Sequence, residues 1–340
     1  MRVDIRPLTE GDLDTAARLL AARHRADRER TPALSPRYED PAAVRPFLAQ
    51  TLTRPMAWGV LATQGGEPVG FMIGTGALVS PSAWYAPVLA PRSGQVQYHA
   101  HTATGPEAGE VYRHMYAAIA PHWLANGCFA HYVEIGAGDE AAMEAWFSLG
   151  FGQTLTLAVR DTAPVAVEPG RLAAEIEIHQ AGAEDIEVIL RLNDELARHH
   201  NAAPVFLPYL PEAETAAREH QLELLEDPAN AHFVAYRGGE AVGMQTFHEA
   251  DVQPMARPDR CVYLYQGITV PDGRGGGVGT ALLRHSMDWA REQGYDWCAL
   301  HFFSANIPGA RFWTRSGFAP VTERLARQVD ERIAWANGRE

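Results

Sequence analysis

The chain repeats itself. Ile5-Arg6-Pro7-Leu8-Thr9-Glu10-Gly11-Asp12 opens a strand-then-helix pattern, and Ile178-His179-Gln180-Ala181-Gly182-Ala183-Glu184-Asp185 opens another 173 residues later. At the same offset Gly65-Gly66-Glu67-Pro68-Val69-Gly70 is answered by Gly238-Gly239-Glu240-Ala241-Val242-Gly243. Each glycine pair sits between two apolar runs, as in a hairpin turn. Near the end of each half Trp146 and Gly150-Phe151 are answered by Trp313 and Gly317-Phe318, 167 residues on. Three matches in one order at nearly one spacing imply two copies of one fold. A length of 340 residues suits two domains.

Residues 161–174 hold Pro164, Pro169 and Gly170 and are the expected linker between a domain at 1–160 and one at 175–340. In the second copy the expected order is a strand at Glu175–His179, helices at Ala183–His199 and Pro211–Leu225, and a hairpin over Ala231–Glu249. A strand at Arg260–Val270, a helix at Gly277–Gln293, a strand at Trp297–Phe303, a helix at Ile307–Ser316 and a short last strand follow. This is an α/β fold with a mixed sheet.

The net charge of −13 opposes non-specific nucleic-acid binding. Every basic residue other than histidine is arginine, so the phosphate-loop pattern GxxxxGK[ST] is excluded. No apolar stretch reaches the roughly 20 residues that span a bilayer, and the N-terminal residues have no apolar signal region. Cys128, Cys261 and Cys298 are odd in number and lack metal-ligand spacing, so buried, reduced thiols in a cytoplasmic protein without a metal are expected.

Chemistry concentrates in one segment. A β-rich run ends at Ile268-Thr269-Val270-Pro271, then Gly273, Arg274, Gly275, Gly276, Gly277, Val278, Gly279 and Thr280 lead into a helix. A helix N-terminus carries unpaired N–H groups and the positive end of the macrodipole. Glycines let a ligand approach that backbone closely. The combination makes a cradle for a pyrophosphate, with Arg274 placed to add a charge-assisted bond.

Arg274-Gly275-Gly276-Gly277-Val278-Gly279 resembles the [RQ]-x-x-G-x-[GA] loop of the GNAT superfamily of acyl-CoA N-acyltransferases. About 25 residues later, Asn306-Ile307-Pro308-Gly309-Ala310-Arg311-Phe312-Trp313-Thr314-Arg315-Ser316-Gly317-Phe318 is similar to that family's closing motif, one spacing residue short. The resemblance covers about 175–320 by motif and 1–155 by architecture alone. It implies two tandem GNAT-like domains, each a mixed, mostly antiparallel sheet flanked by helices, with acetyl-CoA as co-substrate. It further implies that the backbone of Ile268 and Val270 runs along the pantetheine arm and that the N–H groups of Gly275 to Thr280 hold the pyrophosphate. Asn306 is expected beside the thioester end, as an N-cap, or as both. Trp313 takes the slot where the family commonly places a tyrosine acid, and an indole N–H is no acid.

The implied reaction is direct attack of a primary amine, on a small molecule or a peptide, at the thioester carbonyl. Candidate catalytic residues are Tyr265, His248 and Glu249, with Tyr263 and His301 also on the strands concerned. His199-His200 lacks a third ligand for a metal and borders the expected acceptor side. The alternative is a non-catalytic acyl-CoA-binding or protein-interaction module.

In the first copy the loop reads Ala103-Thr104-Gly105-Pro106-Glu107-Ala108-Gly109. Thr104 replaces the arginine, Glu107 sets a carboxylate where pyrophosphate would lie, and Asp139 replaces Asn306. The first copy is therefore expected to have lost acetyl-CoA and to support the fold, shape the acceptor cleft, or pair with a second copy in a homodimer. Trp58, Phe71, Trp84, Tyr85, Trp123 and Trp146 are expected to be its core and interface aromatics.

Overall fold

A computed structural model describes residues 2–165, 175–249 and 253–336. Residues 166–174, most of the expected linker, lie outside them. The first half runs β1 (Val3–Pro7), α1 (Leu13–Arg30), α2 (Pro41–Leu52), β2 (Trp58–Gln64), β3 (Glu67–Leu78), β4 (Arg92–Val96), β5 (His101–Ala103), α3 (Ala108–Ala125), β6 (Ala130–Gly136), α4 (Glu140–Ser148) and β7 (Gly152–Asp161). The second repeats it as β8 (Glu177–Gln180), α5 (Ile186–Asn201), α6 (Glu214–Glu226), β9 (Ala231–Arg237), β10 (Glu240–Glu249), β11 (Cys261–Thr269), α7 (Val278–Glu292), β12 (Trp297–Phe303), α8 (Ile307–Arg315) and β13 (Ala319–Gln328), with a last turn, α9 (Ile333–Ala336).

Local chemistry explains these elements. Both glycine pairs of the hairpins, Gly65-Gly66 and Gly238-Gly239, have positive φ, the geometry of a two-residue turn that matches strand twist. α7 buries Val278, Leu282, Leu283, Met287 and Ala290 on one face, at the three-to-four-residue repeat of a helix. Asp139 and Asn306 cap α4 and α8 from equivalent positions, accepting from Ala142 N (3.0 Å) and Gly309 N (3.2 Å).

All thirteen strands of the described residues form one sheet, and its order shows an exchange. It runs β1-β2-β3-β4-β6-β13-β7-β12-β11-β10-β9-β8, with β5 paired to β3. The last strand of each half thus completes the other half's part of the sheet. β13 pairs with β6, β7 pairs with β12, and the two exchanged strands pair antiparallel at the centre. β13 has ten residues, longer than the short strand expected. Arg160 on β7 ties this join to α8 by donating to Ser316 O (2.8 Å).

The largest apolar cluster belongs to the first half but takes in Met255, Ala256, Tyr263, Val321 and Leu325 from the second. A second cluster packs α7 and α8 on one sheet face, and a third packs α5 on the other. Phe71, Trp123 and Trp146 are core residues as expected. Trp58, Trp84 and Tyr85 are not, being about two-fifths exposed. Trp58 stacks on His122, and the other two sit on the loop between β3 and β4, which reaches toward the second half. All three cysteines are free and buried. No described helix is long and apolar enough to cross a membrane.

Candidate active site

β11 and β12 run parallel, but their pairing stops early. It joins Cys261–Leu264 to Trp297–Leu300 and goes no further. Beyond Leu264 the strands part, helped by a bulge at Tyr265, where Thr246 and Phe247 face Gln266 and Leu264. The gap between Gly267 on β11 and Phe303 on β12 opens into a cleft of about 1220 Å³.

At the outer end of β11 stands the glycine turn. Gly275 and Gly277 have φ of +76° and +79°, left-handed values that favour glycine, and Gly277 caps α7. The first N–H groups of α7 have no carbonyl a turn earlier to receive them, so they remain available to an anion. Arg237, at the end of β9, lies across the turn and donates to Gly276 O (3.2 Å). A Cβ on Gly276 would meet that guanidinium at 2.5 Å. Arg237 escaped the sequence reading because it lies far from the motif in sequence; its match in the first half, Gln64, donates to Glu107 instead. Arg274 turns toward the gap, donating to Thr269 O (3.2 Å) with His199 Nδ1 3.5 Å away.

One backbone expectation is corrected. Val270 N–H donates to Val242 O on the hairpin side (3.0 Å). In an antiparallel pair every second residue faces the same neighbour, so Ile268 also points to β10. The groups turned to the gap are those of Gly267 and Thr269. Side chains of Ile268 and Val278 are buried in the core. Trp313 lies over Gly267, where a Cβ would come within 3.1 Å of its ring.

Asn306 caps α8 and also lines the cleft. Its Oδ1 accepts from His199 Nε2 (3.0 Å), and its Nδ2 lies 3.4 Å from His200 Nε2. The paired histidines thus hold Asn306 in place. Burial, and then His199, lower the His200 pKa to about 4.

His248, Glu249, Tyr263, Tyr265 and His301 all line the same cleft. His248 Nδ1–H donates to Glu249 O (2.6 Å), which leaves Nε2 as the lone-pair nitrogen. Its ring centroid lies 5.1 Å from that of Tyr263 and 5.3 Å from that of Tyr265. Tyr263 Oη bonds His301 Nδ1 (2.7 Å). Burial, then Arg324, lower His301 to about 3, so it stays neutral. The first half supplies one wall. Trp84 stacks on His220 of α6 at 4.0 Å between centroids and meets Tyr265 edge-on. No local pattern links residue 84 to residue 220, so this wall was not legible along the chain. Six carboxylates line the cleft, from Glu134, Glu187, Asp194, Glu214, Asp227 and Glu249, against three arginines. Among the described residues no group of three or more His, Cys, Asp or Glu is arranged to hold a metal.

The corresponding gap in the first half is filled by the protein itself. Arg23 of α1 donates to Tyr98 O (2.7 Å) and His101 O (2.5 Å), and Tyr98 Oη donates to Asp27 (2.6 Å). His101 Nε2–H donates to Glu134 O across the opening (2.7 Å). Gln253, from the second half, donates to the Glu134 carboxylate (2.7 Å) and accepts from His99 (3.0 Å). Arg23 and Asp27 correspond to Leu196 and His200 in the second copy, where no such plug forms.

A split parallel pair beside a helix, repeated in tandem with the helix glycine-capped in the second copy, defines the class of fold. Residues 194–318 match the family model described as the acetyltransferase (GNAT) family. Among solved structures, the chain is similar to a GCN5-related N-acetyltransferase from Sphaerobacter thermophilus, at 14% identity, TM-score 0.57, with 96% of this chain and 95% of that one covered. It is also similar to a tandem GNAT protein from the clavulanic acid biosynthesis pathway, at 13% identity, TM-score 0.50, with 96% and 98% covered. No curated protein matches the chain. Residues 194–318 thus match the GNAT family, and the chain has the tandem GNAT fold across both halves.

Proposed function

We propose that the second half binds acetyl-CoA and that the protein transfers the acetyl group to a primary amine held in the cleft. The observation that carries this reading is the continuity of the site. A glycine-capped helix start flanked by Arg237 and Arg274 stands at one end of the β11/β12 gap, and a carboxylate-rich cleft stands at the other.

The N–H groups of Gly275 to Thr280, with Arg237, would hold the pyrophosphate, and Gly267 and Thr269 would border the pantetheine. The bound thioester would supply the acetyl group. Glu249 and the neighbouring carboxylates favour an ammonium group, concentrating a cationic acceptor. His248 Nε2 takes the amine proton as general base, its tautomer fixed by the bond from Nδ1 to Glu249 O. Tyr265 borders the reacting group, and Tyr263 is anchored by His301. Neutral His301 is too weak a base to compete near neutral pH. The plugged first half binds no acetyl-CoA and walls the acceptor site. Trp313 favours the second reading, a binding module without turnover, because no acid stands in its slot.

The test is calorimetric titration with acetyl-CoA, followed by a screen of amines for CoA release. One equivalent bound, lost in Gly277→Glu, with amine-dependent release lost in His248→Ala, supports the enzyme. Binding without release on any amine supports the module, and no binding refutes both.

A further inference from the structure

Arg324 stands on the exchanged strand β13, with Glu134 of β6 and Leu155 of β7 as its cross-strand neighbours. It lines the large cleft and also a second cavity of about 580 Å³ under the loops 79–91 and 205–210. That second cavity is walled mainly by apolar side chains, among them Val79, Val88, Val205, Leu207 and Phe303. Val88, Leu207, Phe303 and Arg324 border both spaces, so the two adjoin, with Arg324 at the junction.

The guanidinium there is poorly satisfied. Its Nε is buried and has no hydrogen-bond partner among the described residues. The group lies 5.7 Å from the centroid of the Tyr132 ring. Its cross-strand carboxylate, Glu134, feels the arginine's charge but accepts its hydrogen bonds from Gln253 Nε2 (2.7 Å) and Tyr98 N (3.4 Å). Buried polar groups in native proteins are almost always paired, and this orphan Nε belongs to a guanidinium whose side chain lines two adjoining cavities, where a ligand could complete its pairing. A guanidinium fork matches a carboxylate in geometry as well as charge. Six carboxylates around the same cleft disfavour a dianion such as a phosphate monoester.

We infer that the acceptor is an amino carboxylate with an apolar body, and that Arg324 receives its carboxylate. This rests on the acetyl-transfer reading and deepens it. The amine faces His248 and Glu249, the carboxylate meets Arg324, and the apolar body enters the adjoining cavity. Arg324 is then a specificity residue that reaches the cleft from β13, the second half's last strand, lodged between β6 and β7 of the first half.

The experiment measures binding of 3-phenylpropanoate and of 3-phenylpropylamine to the full chain by ligand-observed NMR. It is run on the unaltered protein, Arg324→Met and Arg324→Lys, with acetyl-CoA titrated into each sample and a melting curve as a check on folding. The expected result is that 3-phenylpropanoate binds, weakens at least tenfold in R324M and is partly rescued in R324K, while the amine probe changes less than twofold. Absence of 3-phenylpropanoate binding, or equal binding to all three proteins, overturns the inference. If acetyl-CoA binds normally in that case, only the acceptor assignment falls. If acetyl-CoA fails to bind the unaltered protein, the acetyl-transfer reading falls, and the dependence of 3-phenylpropanoate on Arg324 is still read directly. Turnover of phenylalanine against phenethylamine then checks the consequence, with the amino acid preferred at least tenfold in kcat/KM and the preference lost in R324M.

Discussion

His199 Nε2 lies 3.0 Å from Asn306 Oδ1, so the last turn of α5 holds the residue that starts α8. The same Oδ1 accepts from Gly309 N, and one amide therefore serves a helix cap and the cleft. Removing it should show both effects. Asn306→Ala should cost about 1 kcal/mol of stability through the lost cap, a fall of a few degrees in Tm, and should lower activity. Asn306→Asp keeps a capping oxygen, so its Tm should stay near that of the unaltered protein while activity still falls. Paired melting curves and rates on the two variants check this.

Stability should fall as the medium is acidified below pH 6.5. Burial lowers His99, His131 and His200 to about 4, and His101 and His301 to about 3. These stay neutral in the fold, whereas in the unfolded chain they take up protons near 6.5. Between about 6.5 and 4 the unfolded state therefore binds more protons and is favoured as pH falls. Each such histidine contributes up to about 1.4 kcal/mol per pH unit. Glu134 and Glu323, raised by burial, act in the opposite sense, but they are two against five. Urea midpoints measured from pH 7 to pH 4.5 should decline throughout; a flat profile would show that the histidines protonate in place.

Trp84 and His220 join the halves at the wall of the cleft. Trp84→Ala removes one stacking partner, an interaction worth about 0.5–1.5 kcal/mol. The KM for the amine should rise about two- to tenfold, with acetyl-CoA affinity unchanged because the stack lies away from the glycine turn. An equal loss in both would mean that the loop supports the whole domain.

The strand exchange predicts that the halves need each other. Residues 1–165 alone would leave β6 unpaired where β13 belongs and β7 without either neighbour. Such open edges aggregate. Each half made alone should be insoluble or oligomeric, and co-expression of 1–165 with 175–336 should give a one-to-one complex on gel filtration. A monomeric, cooperatively melting single half would refute this.

Much of the architecture could be read along the chain. The glycine pairs announced two hairpins, Asp139 and Asn306 marked matching helix starts, and Gly275 to Gly277 marked the turn that opens α7, because each signal lies within a few adjacent residues. A strand motif names a segment but not its register. The alternation that turns Gly267 and Thr269, not Ile268 and Val270, to the gap is fixed by the pairing of β11 with β10.

The sequence by itself determined the duplication, the elements and the decay of the first copy's loop, since periodicity, turn chemistry and local charge are properties of neighbouring residues. Only the tertiary structure decided that β7 and β13 change places, that Arg23 plugs the first gap, and that Trp84 and Arg324 reach the second half's cleft. Those outcomes depend on which edges and cavities remain to be filled once both copies have folded, and no local pattern encodes a partner more than a hundred residues away.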